Sequence, residues 1–169
     1  MLLSALQQAL DFRAEDFCVA QFAVCGEFRE HATSYLTAGL YEAHDRDRFE
    51  VVAFDAGHGD DSALRKRLEA AFDKWIPVAG LDGQSAAHTI AEQDIDILVN
   101  LNGYYGSLRM DVFARRPAPV QVNFLGFPGT LGAQYMDYII ADRIVIPDVE
   151  QQYYTEKVAY LPDSYQVND

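Results

Sequence analysis

The chain is poor in positive charge: 13 Lys and Arg stand against 26 Asp and Glu, for a formal net charge of −13. Such a field repels phosphate backbones and anionic headgroups, so no nucleic acid and no membrane surface is expected as a partner. Cysteine is nearly absent. Cys18 and Cys25 fall in one strand-like stretch and would lie roughly 23 Å apart at about 3.3 Å per residue, too far to bridge. There is no charged-then-apolar leader, and no apolar run approaches the ~18 residues of a membrane span. Unpaired thiols and a missing leader lead to the expectation of a cytoplasmic protein. Neither Gly-x-Gly-x-x-Gly nor Gly-x-x-x-x-Gly-Lys-Ser/Thr follows the first strand, so the usual dinucleotide and P-loop phosphate cradles are missing. His44, His58 and His88 have no Cys or carboxylate partner at ligand spacing and read as surface residues, and no metal site is expected.

What the sequence does have is alternation of strands and helices. Residues 17–25 are almost all apolar and stop at Gly26, the pattern of a strand covered on both faces. Leu36 and Leu40 mark a helix over residues 33–43, and residues 49–54 supply a second β-branched and aromatic strand. The pattern repeats. Leu64, Leu68 and Phe72 lie on a helix, Trp75 and Ile76 on a short strand, residues 87–91 on a helix and residues 95–99 on a buried strand. A helical stretch near residues 110–114 ends at Arg116-Pro-Ala-Pro119, followed by strands at 120–124, 138–141 and 158–161, with an irregular path from Pro147. This is an α/β fold: a Rossmann-like, doubly wound, mainly parallel sheet. One domain is expected over residues 17–169. Residues 1–16, with Leu2, Leu3, Leu6 and Leu10 at helical spacing, read as an N-terminal helical linker. The lack of a packed closing element before Asp169 leads to the expectation of a truncated chain.

In open parallel sheets ligands bind beyond the carboxyl ends of the strands, so chemistry should sit in the loops that follow them. Three loops are candidates. The first, Gly26-Glu-Phe-Arg-Glu-His-Ala-Thr33, holds a carboxylate (Glu27), a guanidinium (Arg29) and an imidazole (His31), the side chain best suited to proton exchange near neutral pH. The competing reading has Thr33 capping the helix and His31 facing solvent. The second, Asn100-Leu-Asn-Gly-Tyr104, offers two amides that could orient a sugar or phosphate, although satisfying loop backbone groups is the favoured role. The third, Leu125-Gly-Phe-Pro-Gly-Thr130, is either a plain glycine-rich turn or a loop whose Gly126 and Gly129 let backbone N–H groups approach a ligand. Asp94 and Asp96 flank the start of a buried strand and read as solvated carboxylates.

Five ordered blocks carry a resemblance: Phe28-Arg-Glu-His-Ala-Thr-Ser-Tyr-Leu36, Asp96-Ile-Leu-Val-Asn-Leu-Asn-Gly103, Arg116-Pro-Ala-Pro-Val-Gln121, Leu125-Gly-Phe-Pro-Gly-Thr130 and Met136-Asp-Tyr-Ile-Ile-Ala-Asp142. Together they resemble the catalytic region of O-linked N-acetylglucosamine transferases and their SPINDLY-like relatives, glycosyltransferase family 41. The resemblance implies one lobe of a two-lobed GT-B enzyme, the N-terminal one, with the second lobe and the tetratricopeptide repeats absent and the isolated fragment inactive. It further implies inverting, metal-independent transfer of N-acetylglucosamine from UDP-N-acetylglucosamine, a donor substrate rather than a cofactor, onto Ser or Thr hydroxyls of a protein acceptor. By motif position His31 matches the family's active-site histidine, Thr33 its neighbouring cleft threonine, and Leu125, Gly126 and Pro128 the loop against the donor sugar. Glu27 stands where the family usually has an aspartate proposed as proton acceptor, and Ala32 replaces a common proline, so the base is left open between His31 and Glu27. The alternatives are a relative using GDP-fucose or UDP-glucose, and a noncatalytic binding module.

Overall fold

A computed structural model describes residues 19–106 and 109–169; of residues 19–23 only the backbone is described. The anticipated linker at residues 1–16 and Cys18 lie outside the described residues. The strands are β1 (Val19–Cys25), β2 (Phe49–Asp55), β3 (Lys74–Pro77), β4 (Ile97–Asn100), β5 (Val120–Asn123), β6 (Tyr138–Ala141) and β7 (Lys157–Tyr160). All of them pair in parallel, in the order β3-β2-β1-β4-β5-β6-β7. The direction of winding reverses between β1 and β4, which creates the switch point where such sheets bind ligands.

Helices α1 (Ala32–Glu42), α2 (Ala63–Ala71), α3 (Gly83–Ala91) and α4 (Met110–Phe113) fill the connections up to β5. Strand β2 shows why both faces must be covered. Val51 and Ala53 pack with Ala38, Tyr41, Leu64 and Leu68 of α1 and α2, whereas Val52 and Phe54 pack with Ala86, Ile90, Val112 and Phe113 of α3 and α4. Successive side chains point to opposite faces of a strand, so an uninterrupted apolar run means helices on both sides. The doubly wound architecture follows from that packing.

Element ends differ in places from the sequence expectation. Helix α3 starts four residues earlier than the apolar spacing indicates, because Asp82 caps it by accepting from the Ser85 N–H at 2.8 Å. The stretch after Pro147, anticipated as irregular, contains a 3₁₀ helix at Asp148–Tyr153. His44, expected on the surface, is half-buried with Nδ1 2.7 Å from the Leu40 carbonyl oxygen, and burial pushes its pKa down. His58 and His88 are exposed. Asp94 is exposed and takes a positive φ of 52°, while Asp96 is only half-exposed.

Candidate functional site

The loop after β1 is held by its own aromatic residue. Phe28 is 2% exposed and its ring meets Trp75 at 5.1 Å and Phe72 at 5.6 Å between centroids. Burying such a side chain contributes about 2–3 kcal/mol, enough to fix a short loop. Arg65 adds a strut: it pairs with the buried Asp55 at 2.7 Å and donates to the Phe28 carbonyl at 2.9 Å. The chain therefore turns abruptly, leaving Arg29 and Glu30 exposed and presenting His31 at the start of α1.

Within this loop Glu27 is buried, with its side chain 6% exposed. Its Oε2 accepts from Arg29 Nε at 3.0 Å and Nη2 at 2.6 Å, and this bond raises the Arg29 pKa above its ordinary value. His31, not Thr33, is the N-cap of α1: its Nδ1 accepts from the Thr33 N–H at 3.3 Å. Thr33 is half-buried in the first turn, where its carbonyl accepts from Thr37 Oγ1 at 2.8 Å.

The loop after β4 lies between the other two and touches both. Asn102 Oδ1 accepts from the buried Gly26 N–H at 3.0 Å, across 76 residues of sequence. Asn100 Oδ1 accepts from the N–H groups of Asn102 and Gly103, both at 3.0 Å. The two amides satisfy loop backbone, as their position favours. Gly106, at φ +66°, lies over Glu27: a Cβ there would come 2.6 Å from Oε1. The Tyr105 ring sits 6.3 Å from the His31 ring, and Tyr105 is 60% exposed.

The loop after β5 packs against the other side of this turn. Gly126 is a glycine because a Cβ would stand 2.1 Å from the Leu101 carbonyl oxygen. Its first duty is therefore close packing rather than the exposure of its N–H group to a ligand. Leu125 takes φ +70°, a conformation that costs a non-glycine residue about 1–3 kcal/mol, and its side chain packs on the α1/α2 core. Asn123 Nδ2 donates to the Phe127 carbonyl at 2.9 Å. Pro128 is exposed, and its carbonyl accepts from Tyr154 Oη at 3.1 Å. Glu156, 4% exposed, takes Thr130 Oγ1 at 2.6 Å and the Leu131 N–H at 2.7 Å.

Glu27, His31 and Thr33 thus lie on one side of residues 100–106, with Leu125, Gly126 and Pro128 on the other, all on the carboxyl edge at the switch point. Asn102, Tyr105, Gly106 and the Tyr154 hydroxyl that reaches the Pro128 carbonyl complete this rim, and sequence reasoning did not single them out as a group. Among the described residues no group of three His, Cys, Asp or Glu is disposed to hold a metal ion. Nor is any described helix long and apolar enough to cross a membrane. Cys25 is free and buried, its thiol pushed up to about 12 by desolvation.

Sequence and structural comparisons define the class. A family model described as glycosyl transferase family 41 matches residues 12–169, and the chain belongs to this family. It is 36% identical over 146 residues to a probable UDP-N-acetylglucosamine-peptide N-acetylglucosaminyltransferase SEC of Arabidopsis thaliana, covering 86% of this chain and 15% of the relative. The Caenorhabditis elegans UDP-N-acetylglucosamine-peptide N-acetylglucosaminyltransferase is 37% identical, with 86% of this chain and 13% of the relative covered. A probable transferase of the same type from Arabidopsis thaliana, SPINDLY, is 32% identical over 82% of this chain and 16% of its own length. Among solved structures, a mutant of the Thermobaculum terrenum O-GlcNAc transferase superposes with a TM-score of 0.85 at 36% identity, covering 88% of this chain and 28% of that one. The chain thus spans 13 to 16% of the length of these curated relatives.

Proposed function

We propose that residues 17–169 form the N-terminal lobe of a GT-B catalytic region, one wall of a cleft in which N-acetylglucosamine passes from UDP-N-acetylglucosamine to a Ser or Thr hydroxyl of a protein. The observation that carries this reading is the meeting of residues 26–33 and 124–130 across residues 100–106 at the switch point, in a chain of family 41. The second lobe would bind the nucleotide and neutralise the leaving diphosphate, the step from which most of the acceleration comes in such sites.

In an inverting transfer the hydroxyl oxygen attacks the anomeric carbon from the face opposite the diphosphate. The bond to the diphosphate oxygen breaks as the new one forms, and the hydroxyl proton leaves to a base. No metal ion takes part in this account. Residues 124–130 would lie against the sugar, with His31 and Thr33 across the rim. The free, buried Cys25 thiol is compatible with a cytoplasmic protein.

The test is transfer by the full-length protein. Incubation with UDP-N-acetylglucosamine and a protein acceptor should yield a β-linked sugar on Ser or Thr, undiminished by EDTA. An α-linkage would refute inversion, and transfer only from GDP-fucose or UDP-glucose would reassign the donor. Reproducible partner binding with no transfer from any of the three would mark a binding module. Residues 1–169 alone should show no turnover, since one wall leaves donor and diphosphate unclamped.

A further inference from the structure

The last rung shared by β4 and β5 pairs Asn100 with Asn123, so the two side chains leave the sheet on the same face, each beneath the loop that follows its strand. Their duties are complementary. Asn100 Oδ1 holds the loop after β4 through the N–H groups of Asn102 and Gly103. Asn123, fully buried, holds the loop after β5 through Nδ2, which donates to the Phe127 carbonyl at 2.9 Å. The two loops meet beside this amide: a Cβ on Gly103 would stand 2.5 Å from Phe127 Cβ and 3.5 Å from Asn123 Oδ1.

A carbonyl oxygen can only accept, so the amide nitrogen must face Phe127 and Oδ1 must point away from it. There Oδ1 is buried and has no hydrogen-bond partner among the described residues. An acceptor buried in this way lowers stability, and an apolar side chain of similar size would pack the same space without that loss. What the asparagine adds is its grip on Phe127. The turn it grips is strained: Leu125 is held at φ +70°, a conformation that persists only where the surrounding structure enforces it. Release of the Phe127 carbonyl would let the turn relax and shift.

We infer that Asn123 is a positioning residue of the transferase, which ties down the Phe127 carbonyl and so holds residues 125–128 in place against the donor sugar without touching the substrate itself. The inference rests on the transferase reading, in which this turn lies against the sugar and the second lobe binds the nucleotide. Loss of the tie is therefore felt by the sugar and not by the nucleotide.

Calorimetry on the full-length protein, with UDP and UDP-N-acetylglucosamine as the two probes, separates these effects. Asn123→Leu fills the same space without a donor. Asn123→Thr, a strand-forming residue whose hydroxyl is too short to reach Phe127, carries the test if the leucine variant does not fold. UDP-N-acetylglucosamine should bind about tenfold more weakly than to wild type, while the Kd for UDP stays within about twofold. The kcat/KM for transfer should fall about tenfold or more, with the unfolding midpoint within about 3 °C of wild type. In a protein that transfers sugar, equal weakening of both probes, or no weakening of either, would overturn the positioning role alone. A wild-type protein without any transfer sinks the transferase reading, and the positioning role with it.

Discussion

The two ends of the carboxyl edge are held by different chemistry. Around β1, β4 and β5 the loops meet one another through neutral amides and a glycine pressed onto backbone: Asn102 to Gly26, Asn100 to Gly103, Asn123 to Phe127, and Gly126 against Leu101. Around β6 and β7 they hang on a carboxylate. Asp142 accepts the N–H groups of Tyr165 at 2.8 Å, Val145 at 2.8 Å and Ile144 at 2.9 Å. A neutral amide bond does not titrate, whereas a carboxylate loses acceptor strength on protonation. The contacts that seat these three loops on one another therefore depend less on pH than those that hang on Asp142.

The sharpest way to break the comparison is to fill the closest approach. Gly126→Ala puts a methyl 2.1 Å from a backbone oxygen that cannot swing aside, so the cost should be about 3 kcal/mol in denaturant unfolding, with transfer by the full-length protein strongly reduced. A neutral loss, below about 0.5 kcal/mol, would mean the loops are not seated against each other.

Asn102→Ala comes next. It strands the buried Gly26 N–H and should cost about 2 kcal/mol, the penalty of an unsatisfied buried donor. The same change in stability should appear at pH 4 and pH 7, since no titrating group is removed.

Asp142→Asn should cost somewhat less, about 1–2 kcal/mol near neutral pH, because a neutral oxygen still accepts some of the three bonds. Here pH discriminates. The three N–H groups, led by that of Tyr165, hold the Asp142 pKa below the usual carboxylate range. A group whose pKa is lower in the folded state contributes stability above its unfolded pKa, near about 4, and loses it as the pH falls through the folded value. Wild type should thus lose stability on acidification below about pH 4, and the gap between wild type and Asp142→Asn should close there. A gap that stays constant down to pH 2 would contradict the assignment.

The central strands were legible because a doubly covered strand leaves no polar alternation: residues 49–54 and 138–141 match the observed strands to within a residue. The start of α3 was not, since Gly83, Gln84 and Ser85 carry no apolar periodicity, and only the Asp82 and Ser85 pairing announces it. The same holds for the site. That three loops share an edge follows from parallel pairing, which the alternation of elements implies. That Asn102 ties the first to the second does not, because a bond between residues 76 apart leaves no local pattern. Nor could spacing reveal that His31 is itself the cap. Histidine is outside the usual capping set, and nothing local in the sequence sets the orientation of its ring.

The most direct trial of the whole account is a crystal structure of the full-length protein with UDP-N-acetylglucosamine bound. The sugar ring should lie between residues 124–130 and the His31 ring. A sugar bound elsewhere, with the rim left bare, would contradict it.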